Sequence, residues 1–119
     1  MRKILILLCL VIMGLPASRL YAHPPEKVIL SYDPAAHSLT AEVIHPVGNP
    51  GSHFVDRVEV FLNDKKVIEK EPIHQDATGF SEAYPLPDAK PGDTVKVAAF
   101  CNRGGDRSGQ IQIAAADQS

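Results

Sequence analysis

The chain has 119 residues, 12 Lys and Arg against 14 Asp and Glu, 45% hydrophobic side chains, no Trp and only two Cys. That length makes one domain, near the small end of what can bury a self-sufficient core. A formal charge of −2 with no run of basic residues argues against nucleic acid and anionic membrane surfaces as partners.

Residues 1–22 read as an export signal. Arg2 and Lys3 form a basic start, Ile4 to Leu15 is an apolar run broken by Pro16, and Ala22 occupies the small-residue position before a cut. Removal of this segment takes Arg2, Lys3 and Arg19 with it. It leaves 97 residues, 23–119, carrying nine Lys and Arg against fourteen Asp and Glu, a formal charge of −5. The expected product is a single periplasmic or secreted domain with no membrane attachment after cleavage.

In chain order, "KVILSYD" (27–33) alternates Val28, Leu30 and Tyr32 against Ile29, Ser31 and Asp33, and "DPAAH" turns the chain. "SLTAEVIH" (38–45) sets Leu39, Ala41, Val43 and His45 on one face. "HFVDRVEVFLN" (53–63) places Val58, Val60 and Leu62 together, and Asn63-Asp64 is a tight-turn signal into "KKVIEKE", so 54–70 reads as a hairpin. "GFSEAYPL" (79–86) is a further strand, and "PDAKPGD" a loop. "DTVKVAAFC" (93–101) puts Val95, Val97, Ala99 and Cys101 on one face. "NRGGDRSG" reads as a loop before a last strand in "GQIQIAA". About seven short antiparallel strands with no helical period predict an all-β, immunoglobulin-like sandwich, although the Cys…Trp…Cys pattern of antibody domains is absent.

Cys9 leaves with the signal, so Cys101 is unpaired in a compartment where cysteines usually pair. It reads as a buried small hydrophobe, one half of an intermolecular disulfide, or a metal ligand. His45 and Cys101 each end a strand in phase with its inward residues, which places both at one rim of the sandwich. His45 and His53 bracket "HPVGNPGSH" and approach each other if that loop doubles back. Two imidazoles and a thiolate suit iron, copper or zinc. His37 in a polar turn and His74 in "EPIHQD" read as solvated. His23 becomes the first residue of the cleaved chain, able to offer its α-amino group and its ring to one copper ion, with Pro24 and Pro25 stiffening it. The competing reading is that cleavage merely leaves a histidine there.

"IHPVGNPGSHFVDRVEVFLNDKKV" and "VAAFCNRGG" resemble the ferrous-iron domain of the desulfoferrodoxin and superoxide reductase family, over roughly residues 27–113. The resemblance implies the same sandwich and a mononuclear non-haem iron held by four histidines and one cysteine thiolate. It also implies superoxide as substrate and an electron-donor protein as partner. His45 matches the histidine of the His-Pro dipeptide, His53 the one before the long strand, and Cys101 the thiolate, followed by Asn102. The fourth histidine falls on Gly104, and the first has no match because Val28 follows Glu26-Lys27. Lys27 is only a nominal counterpart of the family's catalytic lysine. The matched set is thus three ligands, to be completed by His23, His74 or water.

"HFVDRVEVFLNDKKV" and "KPGDTVKV" also resemble the Z subunit of the sulfur-oxidation carrier complex, an immunoglobulin-like partner module without metal. Serine-nucleophile, phosphate-loop and paired-carboxylate motifs are absent from the sequence. The expectation is therefore an exported iron-binding domain of superoxide reductase type. The alternatives are a copper-handling protein that uses His23, and a non-catalytic partner module.

Overall fold

The computed structural model describes residues 23–115, so the expected signal segment 1–22 lies outside them. Seven strands follow in order: β1 (Lys27–Asp33), β2 (Ser38–Ile44), β3 (Val55–Leu62), β4 (Lys65–Lys70), β5 (Gly79–Pro85), β6 (Thr94–Cys101) and β7 (Asp106–Gln112). All pairings are antiparallel. One sheet runs β1-β2-β5 and the other β4-β3-β6-β7, so the chain crosses between sheets after β2, β4 and β5. This is the expected all-β sandwich, with no helix among the described residues.

The alternation read from the sequence is the alternation of burial. Leu39, Ala41, Val43 and Tyr84 of the first sheet meet Val58, Val60, Val95, Val97 and Ala99 of the second in one continuous core. Each fully buried Leu or Val contributes about 1.5–3 kcal/mol relative to an exposed one. The Asn63-Asp64 turn has φ of 51° and 70°, the mirror-image turn that suits the twist of a two-residue hairpin. Asn63 also donates through Nδ2 to Asp93 Oδ1 (3.0 Å) and accepts at Oδ1 from the Thr94 amide (3.0 Å), tying the β3–β4 hairpin to the start of β6.

Two boundaries differ from expectation. β7 begins at Asp106, so "DRSG" is strand and only Asn102–Gly105 turns between β6 and β7. The cause is register: Phe100 pairs with Asp106 and Ala99 with Arg107, and with Cys101 still in β6 only four residues are left to reverse the chain. In β3, Val55 pairs with Cys101 but Arg57 pairs with Phe100, a bulge at Asp56. The extra residue lets Val55 and Val58 both face the core despite their odd spacing.

Tyr84 is fully buried, and its hydroxyl has no hydrogen-bond partner among the described residues. Burial first, and the nearby Glu82 charge second, push its pKa far up, so the hydroxyl stays neutral. Above it, Lys70 of β4 pairs with Glu82 of β5 at 3.1 Å, bridging the two sheets. An unbonded buried hydroxyl stabilises nothing. Tyr84→Phe is therefore expected to leave thermal stability unchanged or to raise it by up to about 1 kcal/mol. A loss beyond about 2 kcal/mol in a thermal melt would contradict this description of the hydroxyl.

Candidate metal centre

Three elements bring three histidines to one pole of the sandwich. His45 follows β2 directly and keeps its inward phase, with 1% of its surface exposed. Its amide donates to the Thr78 carbonyl (2.9 Å), and Val47 N–H donates to the Ala77 carbonyl (2.9 Å). These bonds hold the residues after β2 against the turn that leads into β5.

The loop after His45 does double back. The Asn49 carbonyl accepts from the amides of Ser52 (3.1 Å) and His53 (2.9 Å), and its side-chain Oδ1 accepts from Gly51 N–H (2.9 Å). His53 is thereby returned to His45, with ring centroids 4.8 Å apart and ring planes at 88°. The β6–β7 turn then grips His53 from both sides. Asn102 accepts from Phe54 N–H (2.8 Å) at Oδ1 and donates through Nδ2 to the Ser52 carbonyl (3.1 Å), which also accepts from Arg103 Nε (3.1 Å). In the sequence Asn102 stood out only as the companion of Cys101; the structure makes it a support of His53.

His23 supplies the third ring. Its centroid lies 4.8 Å from that of His53 and 5.5 Å from that of His45, both edge-on. One ligand atom from each of the three rings lies within 4.8 Å of the others. Nitrogen–metal bonds of about 2.0–2.1 Å place ligand nitrogens about 3.4 Å apart in a tetrahedral site, so each ring needs to move inward by roughly 1 Å or less. Nε2 of His53 is buried without a hydrogen-bond partner among the described residues, although the His23 carbonyl is near. That carbonyl instead makes a long contact of 3.4 Å with Nε2 of His45. A buried imidazole nitrogen left unpaired beside two other imidazoles has the chemistry of a metal donor. Three histidines here could hold a metal ion, and His23, which is exposed, leaves the group open to solvent on its side.

The electrostatics favour the neutral form of two of the three rings. Burial is the main cause that holds the pKa of His45 below its ordinary 6.5; the His23 carbonyl opposes it, and the charges of His53 and His23 reinforce it. His53 is also lowered, by burial first and then by the charge of His23, with Arg103 adding to the effect. Neutral rings keep a lone pair for a metal. Because the folded chain binds these protons more weakly than the unfolded chain does, the contribution is complete above the unfolded value near 6.5 and is lost as pH falls through the lowered folded values. Metal-free protein is therefore expected to need less urea to unfold at about pH 5 than at about pH 7.5, and His45→Asn is expected to flatten that difference.

The remaining residues singled out in the sequence lie elsewhere. Cys101 ends β6, buried and in no disulfide among the described residues, and its Sγ accepts from Arg103 N–H (3.4 Å). It is not one of the three residues whose ligand atoms are mutually close. It pairs with Val55, two residues beyond His53. Lys27 is exposed at the start of β1. His37 is exposed with Nδ1 3.5 Å from the Tyr32 hydroxyl, and His74 is exposed outside the group. No protein-family model, curated protein or solved structure matches the chain.

Proposed function

We propose that this chain is an exported metal-handling protein that holds one copper ion on His23, His45 and His53. The observation that carries the reading is Nε2 of His53, buried and without a partner among the described residues, within a group of three imidazoles. A partner module without metal, as the sulfur-oxidation Z resemblance implies, gives no reason for three rings to converge. Copper stands at the top of the divalent affinity order for nitrogen sites. If residues 1–22 are removed on export, the α-amino nitrogen of His23 becomes a further donor from a residue already in the group. A centre of this kind suits capture and transfer of copper outside the cytoplasm.

Cys101 supports a second reading, the superoxide-reductase type of iron centre. It is a buried thiol at the same pole, on the strand residue that pairs with Val55. In that reading Cys101 would join the histidines in holding iron, which would supply the one electron that, with two protons from solvent, reduces superoxide to hydrogen peroxide. A donor protein returns the electron. His23 then takes the place of the histidine missing at Gly104.

Metal uptake separates the two. The full chain, purified without chelators, is offered Cu(I), Cu(II) or Fe(II), beside Cys101→Ser. The copper reading expects one copper per chain, retained in Cys101→Ser, and no reduction of superoxide. Iron lost from Cys101→Ser, together with a thiolate-to-iron absorption band and superoxide reduction, would move the assignment to the second reading. Failure of every sample to take up metal would leave only the partner module.

A further inference from the structure

We propose that His23 is carried to the metal group by a strap, residues 23–26, latched by Gly105 and Arg107, which are therefore positioning residues of the site; this rests on reading the three histidines as a metal centre. His45 and His53 are held by strand phase and by a hydrogen-bonded loop, whereas His23 lies ahead of β1 and needs a different restraint. Three contacts supply one. The Glu26 amide donates to the Ile44 carbonyl (2.7 Å), extending the β1–β2 pairing by one residue. Pro25 is fully buried, and its carbonyl accepts from Arg107 Nε of β7 (3.0 Å). Pro24 lies on Gly105, where an added Cβ would stand 3.2 Å from the Pro24 Cβ and 3.3 Å from its Cδ.

The sequence of the strap suits this role. Two consecutive prolines have fixed φ and no amide hydrogens, so the segment is stiff and leaves no donor unsatisfied at the buried Pro25. Its docking depends instead on one accepted hydrogen bond and on flat contact with a turn that lacks a side chain at position 105. That same Asn102–Gly105 turn grips His53 through Asn102 and Arg103. One turn thus sets the positions of two of the three rings, and the ring at the end of the strap is correct only while Pro24 stays seated.

Gly104 provides a matched control. Both glycines have positive φ, 116° at Gly104 and 84° at Gly105, so a side chain strains the backbone at either, but an added Cβ at Gly104 meets nothing within 4 Å. Cu(II) titration is expected to give Gly104→Ala an affinity within about 3-fold of the parent chain and Gly105→Ala one about 10-fold or more weaker. Arg107→Leu is expected to follow Gly105→Ala and carries the test if that variant does not fold. Because Gly105 touches only Pro24 of the strap, whereas the grip on His53 runs through Asn102 and Arg103, Gly105→Ala combined with His23→Ala is expected to bind no more weakly than His23→Ala alone. In metal-free protein, NMR cross-relaxation between the His23 and His53 rings is expected in the parent and in Gly104→Ala and is expected to vanish in Gly105→Ala. Additive losses in the double variant, or ring contacts that persist in Gly105→Ala, would overturn the strap. Absence of copper binding in the parent would sink the metal reading, and the metal-free ring contacts would then decide the strap by themselves.

Discussion

His45→Ala is expected to lower copper affinity about 100-fold or more while leaving a folded sandwich. The ring it removes is the most deeply placed of the three, 1% exposed, and the only one on a residue directly continuing a core strand. Its imidazole is held neutral chiefly by burial, so at neutral pH the parent spends little of its binding energy on displacing a proton there. The backbone of position 45 keeps its bond to the Thr78 carbonyl whatever the side chain, which separates loss of the ligand from loss of the fold. His74→Ala and His37→Ala, exposed and outside the group, are expected to bind as the parent does. Titration against a competing chelator checks all three. An affinity unchanged by His45→Ala would mean that copper binds elsewhere.

Gly79→Ala is expected to be the most damaging alanine substitution among the described glycines, and to harm site and fold together. At position 79 a Cβ would stand 1.9 Å from the Val43 carbonyl oxygen and 3.0 Å from the His45 amide nitrogen, and φ there is 129°. The backbone of β2 cannot rotate out of the way as a flexible side chain can. The end of β2 must therefore part from β5, and with it the bond from the His45 amide to Thr78. Strain at this φ, with a disrupted strand end, is expected to cost about 3 kcal/mol or more. Urea unfolding measures the loss, and copper titration at low temperature shows the displacement of His45 in the fraction still folded. Gly48→Ala, where an added Cβ meets nothing within 4 Å, is expected to change neither quantity. Equal effects of the two substitutions would contradict the close approach at Gly79.

Strand phase carried much of this structure. Leu39, Ala41 and Val43 alternate so cleanly that His45 had to point inward, and the same logic put Cys101 on the inner face of β6. The "HPVGNPGSH" loop left its reversal open in the sequence, and the Asn49 turn that accomplishes it could not be read from its glycines and prolines. Phase fails where the chain breaks its own period. The bulge at Asp56 turns Val55 inward, against the alternation of Val58 and Val60, and only the pairing of Val55 with Cys101 reveals it. Phase also says which face a side chain takes but not how far two side chains on that face stand apart. Cys101 and His45 were equivalent by that measure, yet only His45 belongs to the close group. His23 shows the converse. No periodicity reaches it, and its arrival depends on contacts with Gly105 and Arg107, about eighty residues away, in a stretch that reads in sequence as an ordinary loop.

The number of imidazoles on the metal tests the central claim most directly. Pulsed electron paramagnetic resonance of the Cu(II)-loaded full chain counts coupled imidazole nitrogens, and repeating it on His23→Ala, His45→Ala and His53→Ala assigns them. Three imidazoles in the parent, with each substitution removing one, is the expected result. A copper ion with one imidazole or none, or a spectrum that none of the three substitutions alters, would contradict the account.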